Sequence, residues 1–106
     1  MDTMNLIKAL EYCDGELVIC LSGEIDRFNM FPLRETMDEK IRELCPKKLV
    51  LDVTDMTFHD PSGVGFLLGR DELIKELGGT LTLRNPNSQI MHYLTLLGLD
   101  KFFEIK

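Results

Sequence analysis

Several features that would narrow the function quickly are missing from this 106-residue chain. No apolar run approaches the roughly 20 residues that a membrane-spanning helix needs. The opening MDTMNLIKAL has no basic stretch followed by a long apolar core, so no secretory signal is read there and a cytoplasmic protein is expected. Lys and Arg number 12 against 18 Asp and Glu, without a cluster, and the formal net charge is -6. Nucleic acid, anionic membrane and membrane insertion are therefore not expected, whereas a basic protein partner is compatible. Cys13, Cys20 and Cys45 are odd in number and lack Cys-x-x-Cys spacing, which excludes a disulfide framework and a zinc site and leaves reduced thiols. His59 and His92 have no ligand-spaced neighbour, so no metal is expected. A phosphate loop, a dinucleotide fingerprint and a convincing Ser-His-Asp order are also missing, so neither an enzyme nor a cofactor is expected. With no repeat, linker or low-complexity stretch, residues 1–106 read as one domain.

What the chain does have is a regular alternation of strand and helix signals. Residues 6–11 form a weak strand candidate, and Asp14-Gly15 signals a hairpin turn into the strand ELVICLS at 16–22. Gly23-Glu24-Ile25-Asp26 is expected to end that strand. Pro32 suits a first helical turn, Leu33, Met37, Ile41 and Leu44 recur at helical spacing, and Pro46 stops the helix. KLVLDV at 48–53 reads as a central strand with both faces covered, followed by a loop at 55–59 with a brief extended piece. A second helix is expected over 62–77, closed by Gly78-Gly79. TLTLR at 80–84 alternates cleanly, Asn87 can cap a third helix ending at Gly98, and 102–105 is a last short strand. The order β-β-α-β-α-β-α-β predicts an α/β fold, with about five strands in a mixed sheet and helices mainly on one face.

The stretch FHDPSGVG at 58–65 places Asp60, Pro61, Ser62 and Gly63 together at the start of the second helix. Asp60 can cap an early N–H, and Pro61 fits the first turn, where its missing donor costs nothing. Gly63 and Gly65 would keep that turn narrow for the approach of a partner backbone. Capping alone accounts for these residues; presentation of a hydroxyl is the other reading. Further along, Val64, Leu67, Leu68 and Ile74 share an arc at 100° per residue, interrupted by Asp71 and Lys75, and are assigned to the core. Phe66, Leu73 and Leu77, with Arg70 at their edge, form a second arc continuing from Ser62. Phe66 and Leu73 are expected to be at least partly exposed as a partner surface, unless a neighbouring helix covers them. Asp52, Asp55 and Asp60 fall near one strand end, where ligands of open α/β sheets bind, which leaves a small-ligand or nucleotide-binding domain as an alternative. Solvated loop acids are the plainer reading.

The Gly-Glu-Ile-Asp after the second strand, the Asp-x-Ser-Gly-hydrophobic-Gly segment, Gly78-Gly79 and the late Leu-Gly-Leu together resemble a STAS domain of the bacterial anti-sigma-factor antagonist type, across nearly the whole chain. The resemblance implies a regulator that binds an anti-sigma factor, itself a serine kinase, and so frees a sigma factor for transcription. A variant of that role is a STAS subunit of a larger signalling or transport assembly. It further implies that Asp60, Pro61, Ser62 and Gly63 form the contact turn, with Asp26 beside it, in a monomer or weak dimer. In that family the kinase phosphorylates the hydroxyl residue directly after the Asp. Here that residue is Pro61, so the switch is degenerate, and Ser62 is the remaining phosphoacceptor candidate.

Overall fold

The strand and helix signals build a five-stranded sheet and three helices, described for residues 6–106 in a computed structural model. The elements are β1 (Ile7–Cys13), β2 (Glu16–Ile25), α1 (Met30–Leu44), β3 (Lys48–Phe58), α2 (Ser62–Glu76), β4 (Thr80–Arg84), α3 (Ser88–Leu96) and β5 (Glu104–Ile105). Their order is the expected one. The reading of MDTMN as part of a non-signal N-terminus lies outside the described residues. The strands lie in the sheet in chain order, β1 antiparallel to β2 and the others parallel. Asp14 and Gly15 both have positive φ (50° and 82°), the two-residue turn that suits a tight hairpin.

Leu17, Ile19 and Leu21 of β2 alternate into the core with Leu49, Leu51 and Val53 of β3 and Leu81 and Leu83 of β4. Leu33, Met37 and Ile41 of α1 and Ile90 and Leu94 of α3 join the same buried cluster. Two strands are longer than expected. β2 continues through Gly23, whose φ of 92° only glycine adopts freely, to Ile25. β3 continues to Phe58 instead of stopping at Val53. The register between them shifts after the Cys20–Asp52 pair, with Ser22 opposite Asp55. That bulge places an extra residue in β3, so burial passes from Val53 to Met56 and Phe58 and the apolar alternation breaks at Thr54-Asp55.

Candidate functional site

The extra length of β3 carries the chain to the turn that opens α2. Phe58 is fixed there by Gln89 of α3: its N–H donates to Gln89 Oε1 (2.7 Å), and Gln89 Nε2 donates to its carbonyl (2.8 Å). Asn87 accepts from Ile90 N–H (3.0 Å), the expected cap of α3, and its Nδ2 donates to the Met56 carbonyl (2.6 Å) beside the bulge. His59 N–H then donates to the Ile25 carbonyl (2.9 Å), which ties the turn to the end of β2. Gly63 lies against the Phe58 ring, where an added Cβ would come within 2.3 Å of it. Its lack of a side chain thus serves an internal contact, not the approach of a partner. Gly65, with nothing within 4 Å of an added Cβ, leaves open space outside the helix.

On this base Pro61 (φ −62°) occupies the N-cap itself, one position before the first helical residue expected of it, and leads into Ser62, the first residue of α2. Asp60 Oδ1 accepts from the Ser62 N–H (2.9 Å) and from the Ser62 hydroxyl. The hydroxyl, followed by the N–H, holds the Asp60 carboxyl below the usual carboxylate range. Pro61 and Ser62 are exposed, so the turn presents a hydroxyl paired to a carboxylate at the positive end of the helix.

A second turn lies beside it. Asp26 Oδ1 accepts from the N–H groups of Phe28 (2.8 Å) and Asn29 (2.9 Å), while Asn29 Oδ1 accepts from the Asp26 N–H (2.9 Å). Asn29 Nδ2 donates to the Glu24 carbonyl (2.9 Å). These reciprocal bonds fix the loop that opens α1. Asp26 and Phe28, together with Arg27, His59 and Asp60, border one hollow of about 460 Å³. Asp26 and Asp60 are therefore brought together. Phe28 was not singled out from the sequence, where an aromatic residue inside a turn has no periodic partner to mark it.

The stripe expected behind Ser62 is not a surface. Phe66 is 2% exposed and Leu73 5%. The reason is that α2 packs both on the sheet and on α1, so the Val64–Leu67–Ile74 arc and the Phe66–Leu73 arc are both buried. Arg70 seals the second arc. Its guanidinium stands 5.3 Å from the Phe66 ring centre and Nη2 donates to Asp38 Oδ2 of α1 at 3.2 Å. Nε lies 2.7 Å from Asp38 Oδ1 but off its N–H axis, so that contact is an ion pair without a second hydrogen bond. Burial pushes the Asp38 carboxyl up and the Arg70 guanidinium down, in each case against the pull of the partner.

The acids near β3 do not converge either. Asp52 and Phe58 are six residues apart on one strand, about 20 Å. Asp52 binds Arg84 Nε at 2.9 Å and Asp55 binds Lys8 Nζ at 2.9 Å. Among the described residues no group of three His, Cys, Asp or Glu could hold a metal ion.

A parallel-biased sheet with the exposed Asp60–Pro61–Ser62 turn at the start of α2 defines a small α/β domain. The chain belongs to the STAS domain family, whose model matches residues 8–106. It is 35% identical over 102 residues, 96% of this chain and 87% of the relative, to the anti-sigma F factor antagonist of Paenibacillus polymyxa. Among solved structures it resembles the anti-sigma factor antagonist SpoIIAA in its unphosphorylated form, with TM-score 0.76, 25% identity and 92% and 86% of the two chains covered. It also resembles the Bacillus cell fate determinant SpoIIAA in the phosphorylated form, with TM-score 0.69, 25% identity and 92% and 89% covered. None of the described helices is long and apolar enough to cross a membrane.

Proposed function

We propose that this chain is an anti-sigma factor antagonist, a cytoplasmic binding protein formed by a single STAS domain over residues 1–106. It engages a serine-kinase-like anti-sigma factor as a monomer or weak dimer and, without catalysing a reaction, controls the availability of a sigma factor. The observation that carries this reading is the rigidly based, exposed Asp60–Pro61–Ser62 turn, in a chain 35% identical to a protein of that role. Asp26 borders the same hollow, and Gly63 supports the turn from beneath. Phe66 and Leu73 hold α2 in place instead of touching the partner.

The phosphate switch is weakened. Pro61 offers no hydroxyl, and Ser62, one residue further on, is turned by about 100°. Phosphoryl transfer demands an in-line approach, and a misplacement of about 1 Å can cost about 100-fold. The Ser62 hydroxyl is also hydrogen-bonded to Asp60, so a phosphate there would stand against a carboxylate. Mass spectrometry after incubation with the cognate kinase and ATP tests this. Little or no phosphate is expected on the unaltered chain, and Pro61→Ser is expected to become an acceptor.

A further inference from the structure

The C-terminal half of α2 borders a hollow of about 650 Å³ that does not include the Asp60 turn. Leu68 and Phe102 supply its apolar lining, and Asp71, Glu72, Lys75 and Glu76 supply the rest. Phe102, between α3 and β5, is 50% exposed, and the Lys75 ammonium lies 4.9 Å from its ring centre, which places the ring beside α2. Glu72 and Glu76 lie about 15 to 21 Å along the helix from Ser62, so this hollow and the contact turn are separate surfaces.

The charges around the hollow are not balanced. Among the described residues Lys75 is the one cation lining it, and its Nζ is 2.9 Å from Asp71 Oδ2, so that charge is answered within the helix. Glu72 and Glu76 are exposed and have no ion-pair partner among the described residues. Four positions apart, they stand one turn from each other on one flank, a repulsion that weakens a helix. Glu35 and Glu39 of α1 are also four apart, but the hollow they border holds Arg34, Arg42 and Arg70 as well. One turn before Glu72 on the same flank, Gly69 has nothing within 4 Å of an added Cβ. A glycine inside a helix costs stability, and no contact within the domain requires this one. A second helix laid against α2 would use the room it leaves.

We infer that this hollow is a docking site for a basic amphipathic helix of a partner protein. That helix sets an apolar side chain between Leu68 and Phe102 and two Lys or Arg, one turn apart, against Glu72 and Glu76. The site is distinct from the Asp60 turn and does not depend on the function proposed for it. The probe is a capped amphipathic peptide of about 18 residues, with a leucine stripe flanked by arginines four apart; its control carries glutamate at each arginine. Affinity is read by fluorescence anisotropy and the contact is located by amide NMR. The arginine peptide is expected to bind, with shifts concentrated at residues 68–76 and Phe102, and the glutamate control is expected not to bind. Glu72→Lys combined with Glu76→Lys is expected to weaken binding about tenfold, and Phe102→Ala about tenfold, with the fold retained because these side chains are exposed. Asp60→Lys is expected to leave the affinity unchanged. Failure of the arginine peptide to bind, equal binding of the control, or a Phe102→Ala variant that binds within twofold of the unaltered chain would overturn the inference. So would loss of binding in Asp60→Lys, or an equal loss from Glu35→Lys combined with Glu39→Lys, which makes the same charge change on α1. Self-association of the chain through Phe102 without peptide binding would assign the hollow to a second copy and overturn it as well.

Discussion

Asp26 and Asp60 each stand just ahead of a helix, and their carboxylates are used differently. Asp26 closes two backbone N–H groups and is answered by Asn29, so its turn is a finished unit that shows solvent an apolar ring. Asp60 closes one backbone N–H and one side-chain hydroxyl, so its turn shows solvent a polar pair. The same residue type thus builds a closed loop at one helix and an exposed polar turn at its neighbour. What separates them is the group that donates the bond: main-chain donors close the loop, whereas a side-chain hydroxyl stays at the surface.

The comparison requires that the Phe66–Leu73 arc behind the Asp60 turn be buried. The largest test of that is Phe66→Asp, which should unfold the domain as thoroughly as Leu67→Asp, since each buries an unpaired charge at a cost of several kcal/mol. A Phe66→Asp variant melting near the unaltered temperature would place the stripe at the surface and dissolve the contrast. Next in size is Asp38→Ala. It strands the buried Arg70 guanidinium and should cost about 2 to 3 kcal/mol by urea unfolding, a figure lowered because Asp38 is itself part-exposed. Removing both charges with Asp38→Ala and Arg70→Met should recover most of it.

A smaller effect separates the two glycines of the second turn. Gly63→Ala forces a Cβ against Phe58 and should cost about 1 to 3 kcal/mol, whereas Gly65→Ala should raise stability by about 0.5 to 1 kcal/mol. Equal thermal shifts for the two would show that Phe58 does not support the turn. The smallest effect is in titration. Because the folded pKa of Asp60 is lowered, its contribution is complete above the unfolded value near 3.9 and is lost as pH falls through the folded value, so the window lies below about pH 4. Carboxyl NMR should give Asp60 a midpoint below the ordinary one, rising in Ser62→Ala.

The element order was readable because each strand and helix carries its own periodicity. The end of β3 was not. The bulge breaks the alternation at Thr54-Asp55, and the strand continues because Ser22–Ile25 of β2 pair with one edge while Asn87 and Gln89, 31 residues beyond the carbonyls of Met56 and Phe58 that they hold, cover the other. The excess of apolar positions on α2 was visible, yet the Phe66–Leu73 arc, with fewer apolar positions than the Val64 arc and Arg70 at its edge, was assigned to the surface. The burial of Arg70 depends on Asp38, 32 residues away on another helix, which no local pattern encodes. The Asp60 turn was legible as a helix start because Asp, Pro, Ser and Gly cluster there, but the roles shifted: Pro61 is the N-cap and Gly63 packs inward on Phe58. Asp26 entered as a contact residue only by resemblance, and Phe28 had no signal at all.

The central claim is a partner site that works without a phosphate gate, and affinity for the anti-sigma factor with and without ATP tests it most directly. The expected result is an unchanged dissociation constant for the unaltered chain, with Pro61→Ser binding equally well until ATP is added and then being released. Stoichiometric phosphate on Ser62 of the unaltered chain, with loss of binding, would contradict it.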